Sequence, residues 1–268
     1  ATVGKYFRDF MQRWPTVEQL AAAPIDDVMK RWAGLGYYSR ARNLHACAVM
    51  VAHDYNGQFP DDEAALQKLP GIGPYTAAAI TAIAFGKRAG DFAQAMMDLG
   101  ATICTPKSPS CNRCPLTEMC DAYAQGIADT LPRRAPKKPR PVRHGACFFV
   151  TRPDGAVLLR KRVAKGLLGG MMEVPTTPWL DAAATDYSEF VPLKTKWKKR
   201  VGLVEHTFTH FHLILTIYVG VASAKEAVNA EGIWTAQDEL AGEALPSLMR
   251  KVVALAMPDE RPLFARRK

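Results

Sequence analysis

The pattern of apolar residues changes once along this chain, across a short basic segment rich in proline. Residues 131–143 hold six basic residues and four prolines and contain no acidic residue. Such a stretch cannot bury apolar surface or form a regular hydrogen-bond ladder, so we expect an extended linker, which either is a solvated connector or also touches phosphate. Apolar residues before it recur at helical spacing, whereas those after it fall in short β-rich runs. The sequence therefore predicts an all-α region followed by an α+β region.

The apolar spacing also predicts individual elements. Short helices are expected over residues 16–23, 26–32, 39–55, 61–69, 74–85 and 92–99, separated by glycine or proline. Beyond the linker, β-rich runs at 147–150, 156–160, 202–207 and 213–219 precede an amphipathic helix at 247–256. The 268 residues exceed the usual size of one domain. We expect a helical domain at 1–126, a connector at 127–143 and an α+β domain at 144–268.

The charge balance indicates a polyanionic partner. The chain carries 35 Lys and Arg against 26 Asp and Glu, a net charge of +9. Nucleic acid is the commonest partner of such a chain, although a merely soluble basic protein has the same balance. No apolar run reaches the roughly 18 residues that a membrane helix needs, and residues 1–14 lack the pattern of a secretory signal. We therefore expect an intracellular protein with no membrane partner.

Four of the six cysteines crowd into seventeen residues, which is typical of a metal site and not of a disulfide framework. They follow the spacing Cys-x6-Cys-x2-Cys-x5-Cys and are Cys104, Cys111, Cys114 and Cys120. Thiolates select zinc or an iron–sulfur cluster. A zinc ribbon pairs two Cys-x2-Cys knuckles, whereas this loop has one, so the spacing favours a single [4Fe–4S] cluster over zinc. Cys47 and Cys147 lie in apolar settings and are expected to be buried, inert thiols.

A second motif, Leu69-Pro70-Gly71-Ile72-Gly73-Pro74-Tyr75-Thr76, joins two predicted helices through a tight turn. Gly71 and Gly73 permit positive φ and let backbone N–H groups approach an anion closely. Pro74 suits the first position of a helix, whose positive dipole end then faces the same anion. The turn is a candidate site for a DNA phosphate, although an ordinary turn between two helices with a glycine break has the same features.

Together these motifs resemble the helix–hairpin–helix DNA glycosylases. The hairpin is followed by Asp91-Phe92-Ala93-Gln94-Ala95-Met96-Met97-Asp98-Leu99-Gly100 and then by the four cysteines, and Trp32-Ala33-Gly34-Leu35-Gly36-Tyr37-Tyr38-Ser39-Arg40-Ala41-Arg42-Asn43-Leu44 resembles the signature of the adenine DNA glycosylase family. That family acts on A mispaired with G or 8-oxoguanine. The resemblance covers nearly the whole chain and implies a [4Fe–4S] cofactor on the four cysteines. It implies DNA contacts from the residues Tyr38, Arg40, Gly71, Gly73, Tyr75 and Thr76.

Tyr38 has the most specific role that the resemblance implies. It matches the aromatic wedge that the family places beside the lesion. A tyrosine can stack between bases that open when the target base is extruded. Packing in the protein core is the alternative for this residue.

The second half resembles the family's C-terminal domain. Glu205-His206-Thr207-Phe208-Thr209-His210-Phe211-His212 resembles the loop that reads 8-oxoguanine, which assigns lesion recognition to Phe208, Thr209 and His210; a metal site and plain surface are the alternatives. Period-2 alternation predicts His206, Phe208, His210 and His212 on one face. Lys194, Lys196, Lys198, Lys199 and Arg200 surround Trp197 and are expected either to track a DNA backbone or to form a solvated face.

A Nudix-like start is also visible in the second half, at Gly169-Gly170-Met171-Met172-Glu173-Val174-Pro175. However, Thr176-Thr177 replaces the usual glycines, and the acidic cluster that would hold Mg²⁺ downstream is missing. We therefore expect no nucleotide hydrolase activity.

The residues that would cleave the glycosidic bond are not found. Excision passes through an oxocarbenium-like state and needs a general acid near the base and a carboxylate near the sugar. The resemblance places the acid, a Glu, on a helix before Ala1, and the carboxylate, an Asp, in a Val-Asp-Gly-Asn-Val stretch soon after the hairpin's second helix. Here Phe85-Gly86-Lys87-Arg88-Ala89 runs directly into Gly90-Asp91-Phe92. Asp91 belongs to a later block of the family, Asp98 is interpreted as structural, and Tyr75 has at most a secondary role, so the catalytic residues are unknown.

We therefore expect an all-α helix–hairpin–helix glycosylase domain with a [4Fe–4S] loop, followed by an α+β Nudix-like domain. The lineage is that of DNA N-glycosylases in base excision repair, and the expected partner is double-stranded DNA with A:8-oxoguanine or A:G mispairs. We expect a monomer in the cytoplasm, on the nucleoid if the source is bacterial. Little or no adenine release is expected of this chain, whether its gene record is fragmentary, the gene decayed or the protein a specialised descendant. A catalytically silent iron–sulfur protein that binds damaged DNA is the alternative. A lyase would need a Lys where Tyr75 stands.

Overall fold

The computed structural model describes residues 2–86, 91–133, 135 and 139–257. The chain divides into two compact units. The first unit comprises Ala1–His45 and Pro139–Lys268, and the second comprises Ala46–Lys138. The helices that precede the linker are therefore shared between the two units.

Helices dominate the chain before the linker, and strands dominate after it, as the apolar spacing predicts. The α-helices of the described residues are α1 (Thr2–Arg13), α2 (Val17–Ala22), α3 (Ile25–Trp32), α4 (Ser39–Asp54), α5 (Glu63–Leu66), α6 (Pro74–Phe85), α7 (Asp91–Thr102), α8 (Asp121–Ala124), α9 (Ala224–Val228) and α10 (Ser247–Ala256). None of them is long and apolar enough to cross a membrane.

A mixed sheet forms the centre of the first unit. Its described strands are β1 (Val142–Thr151), β2 (Val157–Lys161), β3 (Met172–Glu173), β4 (Lys198–Thr207), β5 (His212–Val221) and β6 (Ile233–Thr235). Their order is β3-β2-β1-β5-β4, and β6 also pairs with β2. β1 and β5 are parallel along their whole length, whereas β4 and β5 are antiparallel. Six consecutive residues of β1 are buried, as expected of a central strand that is covered on both faces.

In the first unit, a helix from the start of the chain and a helix from its end both contribute to the core. Val28 and Met29 of α3 lie in one buried cluster with Leu215 of β5 and with Leu248 and Val252 of α10. α2 begins where Thr16 caps it, since the Thr16 side chain accepts a hydrogen bond from the backbone of Gln19 at 3.3 Å. Two exposed ion pairs also join these helices to the rest of the unit, Asp26 with Lys161 at 2.6 Å and Lys30 with Glu243 at 3.3 Å.

The second unit has a smaller core. Val51, Leu66, Leu69 and Ala77 are buried there. In contrast, large apolar side chains of α6 and α7 are exposed, among them Ile83, Met96 and Met97. These helices therefore present apolar surface that the described part of the second unit does not cover.

The predicted boundaries differ from the observed ones where tertiary contacts extend an element. α6 and α10 have their predicted bounds, but α5 is shorter than the predicted 61–69. β1, β4 and β5 are longer than predicted, whereas β2 has the predicted length and lies one residue further along the chain. β1 begins at Val142, inside the predicted connector, because Val142 pairs with His212 of β5. The domain boundaries at 126 and 143 stay predictions.

Candidate nucleic-acid interface

The hairpin turn presents open backbone. Gly71 has a φ of +79°, which favours glycine, and α6 begins at Pro74 after Gly73 as its N-cap. Gly73 offers no side-chain cap, and a Cβ built on it would meet nothing within 4 Å. The first N–H groups of a helix have no partner within the helix, so Tyr75 and Thr76 present backbone donors at the positive dipole end. The turn therefore has the geometry of an anion site.

Tyr75 stands beside this turn. Its side chain is 59% exposed, and its hydroxyl donates to the sulfur of Met97 on α7. Thr76 is exposed as well. Both side chains are accessible from solvent, as residues that contact a bound duplex must be.

The structure separates the two tyrosines of the Gly-Tyr-Tyr-Ser sequence. Tyr38 is 7% exposed and packs in the core cluster of the first unit, where burial raises the pKa of its hydroxyl. Tyr37 is 69% exposed, has a φ of +46°, and lies under the guanidinium of Arg40 at 5.2 Å from the ring centroid. A ring held in a core cannot enter a base stack, so the assignment of Tyr38 as the wedge is corrected and core packing explains this residue. Sequence reasoning missed Tyr37, although its place directly after Gly36 and two residues before α4 begins at Ser39 was a signal for exposure.

The segment predicted to read 8-oxoguanine forms the turn between β4 and β5. Phe208 donates its backbone N–H to the carbonyl of Phe211 at 2.9 Å, and Thr209 and His210 are exposed at the tip. The predicted alternation along one strand face is wrong here, because β4 ends at Thr207 and β5 begins at His212. We call residues 208–211 the recognition turn.

Aromatic side chains fix the base of the recognition turn. Trp179 stacks on Phe208 at 5.6 Å between ring centroids, and Phe211 lies 4.8 Å from Phe208. His206 meets Phe208 edge-on at 4.6 Å, and the pKa of His206 is lowered, first by burial and then by the charges of Lys251 and His212. Rings packed at such distances hold the backbone of the turn in place while its tip stays open.

The linker reaches the same turn. The Arg140 guanidinium donates from Nε to the Thr209 carbonyl at 3.3 Å, and the Pro141 carbonyl accepts from the backbone of His212 at 2.9 Å. The charge of Arg143 lies 4.7 Å from the centroid of the Phe211 ring. Residues of the predicted connector are therefore part of the support of the recognition turn.

The four clustered cysteines surround one cavity of about 250 Å³ in the second unit. All of them line it, together with Pro106 and Pro109. The Thr117 hydroxyl lies 2.8 Å and 2.6 Å from the carbonyls of Cys111 and Cys114 and ties this loop together. Among the described residues, no group of three or more Cys, His, Asp or Glu side chains is arranged to hold a metal ion. The cavity is several times the roughly 30 Å³ share of one water molecule, and four cysteine side chains on one cavity are the donor set that a [4Fe–4S] cluster would take.

The remaining cysteines and the glutamate of the Nudix-like segment are buried. Cys47 and Cys147 are buried, and burial raises the pKa of both thiols. Glu173 is 2% exposed and accepts hydrogen bonds from Arg160, at 2.8 Å, and from Arg162. A carboxylate held by two guanidinium groups is not free to bind Mg²⁺.

Two described carboxylates near the hairpin are held by local hydrogen bonds. Asp62 caps α5 by accepting from the backbone of Ala65 at 2.8 Å. Asp98 is exposed and accepts from the amide of Gln94 at 3.0 Å. The side chain of Asp91 lies outside the described residues.

Two family models match the chain. The model of the HhH-GPD superfamily, base excision DNA repair proteins, matches residues 1–156, and that of the NUDIX domain matches residues 146–255. The order of these matches confirms the predicted helix–hairpin–helix domain followed by a Nudix-like domain.

Curated relatives are similar along most of the chain. The adenine DNA glycosylase of Homo sapiens is 29% identical, and the match covers 94% of this chain and 64% of that protein. The adenine DNA glycosylase of Buchnera aphidicola subsp. Schizaphis graminum is 27% identical over 93% of this chain and 85% of that protein. The human match runs over 352 positions, about 100 more than the residues of this chain that it covers. Among solved structures, a non-covalent Endonuclease III–DNA complex is 22% identical over 47% of this chain and 78% of that chain, with a TM-score of 0.40.

Proposed function

Because the chain belongs to the HhH-GPD superfamily of base excision DNA repair proteins, we propose that it recognises double-stranded DNA in which adenine is paired with 8-oxoguanine or guanine. The hairpin turn carries this proposal. Its backbone donors, open space and positive helix end form a phosphate site, and a basic chain of net charge +9 favours a duplex as the source of that phosphate. The similarity to adenine DNA glycosylases supports the mispair as the target.

Tyr37, and not Tyr38, is the proposed wedge beside the lesion. An exposed tyrosine under a guanidinium presents one ring face to a ligand and is anchored on the other. Arg40, whose charge lies over this ring, is a proposed contact to the phosphates that flank the opened step.

The recognition turn is the proposed reader of 8-oxoguanine. Thr209 offers a hydroxyl and His210 an imidazole, and both groups donate and accept hydrogen bonds to a base edge. Phe208 is partly buried against Trp179, so its proposed role is to support the turn with its ring as well as to contact the base.

The four clustered cysteines are the proposed ligands of a [4Fe–4S] cluster. These cysteines would hold the cluster as deprotonated thiolates, and the bound cluster would stabilise the loop that carries them. Thr117 holds the carbonyls of that loop, and Pro106 and Pro109 restrict its unfolded conformations. The proposed role of the cysteine loop is structural.

The residues around the hairpin give no basis for rapid excision of adenine. Chemistry on the glycosidic bond needs a carboxylate near the sugar, and the sequence between Phe85 and Asp91 holds no acid. Tyr75 is exposed beside the hairpin, but a neutral phenol does not supply the negative charge that a carboxylate places near the sugar. We propose that these 268 residues bind the mispair and release little adenine.

Binding and single-turnover assays test the proposal with one substitution in the hairpin and one matched control substitution. Gly73→Ala places a methyl group in the open space of the hairpin without a clash, so it should weaken binding to an 8-oxoguanine:A duplex about tenfold and leave the fold intact. Gly100→Ala adds the same group at another open glycine, on α7, and should bind as the parent chain does. Adenine release should stay at the level of a protein-free control.

Two outcomes would contradict this function. Equal affinity for 8-oxoguanine:A, G:A and undamaged duplexes would contradict the proposal that the chain recognises the mispair. Release of adenine near the rate of an intact homologue would remove the claim that these residues do not excise it.

A further inference from the structure

A second cavity, of about 630 Å³, lies in the first unit at the end of the sheet away from the recognition turn. Its lining includes the cations Lys196, Lys198 and Arg200 and the apolar residues Phe149, Val219 and Met257. β4 begins at this cavity and ends at the recognition turn, and ten residues of strand span roughly 30 Å. The cavity is therefore separate from the proposed lesion site.

Alternation along the chain brings the three cations together. Lys196, Lys198 and Arg200 are spaced by two residues, so they share one side of an extended segment. Lys194 and Lys199 belong to the same basic run but do not line the cavity. The basic run therefore divides into a set at the cavity and a set outside it.

The positive charge of the three cations is not balanced by any acidic residue in the described lining of the cavity. None of the described residues that line it is acidic, and within the described part of the chain Lys196 and Lys198 form no ion pair shorter than 4.0 Å. Arg200 is held in place because its Nη2 donates to the Ala256 carbonyl at 2.8 Å, while its Nε is buried and has no hydrogen-bond partner in the part of the chain that the structure describes. Like charges that line one cavity repel each other, and a bound anion relieves that repulsion.

We propose that this cavity binds a phosphate group. Lys196 and Lys198 supply ammonium donors, Arg200 supplies a fixed guanidinium, and Thr151 and Thr195 add hydroxyl groups to the same lining. The apolar interior accepts the body that carries the phosphate, and the volume falls in the usual range of small-molecule sites. The source of the phosphate is either a free phosphorylated small molecule or the backbone of a duplex. The proposal does not depend on mispair recognition.

Calorimetric titration of the full chain with inorganic pyrophosphate tests the site. The double variant Lys196→Gln/Lys198→Gln should bind pyrophosphate at least tenfold more weakly than the parent chain. The matched control Lys194→Gln/Lys199→Gln removes the same net charge from residues outside the cavity and should change the dissociation constant less than twofold. Thermal melting of both variants checks that each is folded, and Arg200 is left unchanged because its contact with Ala256 is structural.

Competition identifies the source of the phosphate. Displacement of pyrophosphate by an undamaged 20-base-pair duplex supports the site as one for a DNA backbone, and retention of pyrophosphate supports one for a free small molecule. Equal weakening in the two double variants would show diffuse electrostatic attraction and overturn the proposal. Failure of the parent chain to bind pyrophosphate at millimolar concentration would overturn it as well.

Discussion

Replacing the two neighbouring tyrosines one at a time separates a wedge from a core residue. Tyr38 is only 7% exposed, so Tyr38→Ala removes a ring from the core. The substitution should lower the free energy of unfolding by about 3–5 kcal/mol, the usual range for a large aromatic residue in a core. Tyr37→Ala removes an exposed ring and its contact with Arg40, which is worth about 0.5–1 kcal/mol at the surface. Urea unfolding followed by circular dichroism measures both changes.

Affinity for DNA should follow the opposite order. Stacking of an aromatic side chain on a base is worth about 1–3 kcal/mol. Since about 1.4 kcal/mol corresponds to a tenfold change, Tyr37→Ala should weaken binding to an 8-oxoguanine:A duplex by about 5- to 150-fold. Tyr38→Phe keeps the core ring and serves as the folded control, with unchanged affinity. The reasoning is refuted if Tyr38→Phe weakens binding to the lesion while Tyr37→Ala leaves it intact.

Two further substitutions test the cysteine loop and the Nudix-like segment. Cys114→Ser should lower the iron and sulfide content of the purified protein, measured by chemical analysis, whereas Cys47→Ala, at a buried thiol outside the cavity, should leave it unchanged; equal losses would count against the proposed ligands. Glu173→Gln should lower the free energy of unfolding by about 3 kcal/mol, because Arg160 and Arg162 lose their shared carboxylate. In urea unfolding Asp154→Asn, at an exposed carboxylate, should cost much less, and similar losses in the two variants would contradict a special role for Glu173.

Local signals in the sequence were sufficient for some elements. α6 has its predicted bounds because Pro74 suits the first turn of a helix and Gly86, with a φ of +63°, ends it in the left-handed region. α10 has its predicted bounds because an amphipathic run follows Pro246 directly. Such boundaries depend on a few adjacent residues and are readable without the fold.

Features that depend on distant residues were not readable. The local sequence Tyr37-Tyr38 does not indicate which of the two rings is buried. Tyr38 packs in a core to which α10 and the sheet contribute, and both lie far away along the chain. The recognition turn contains no glycine, proline or asparagine, so the period-2 alternation of the sequence continues through it without a turn signal. The linker composition predicted an extended chain, but pairing with β5 recruited its last residues into β1.

This recruitment limits how the linker can change in length. Val142 pairs with His212 and Arg143 with Leu213, so the register of β1 is set directly beside the recognition turn. A one-residue slip in a strand exchanges its two faces, and an insertion between Pro141 and Val142 would force either that exchange or the loss of the Pro141 contact with His212. An insertion farther upstream lengthens the linker and raises the entropic cost of closing it only slightly. The tether between the two halves of the sequence is therefore adjustable at its start and of fixed length at its end, where it meets the turn.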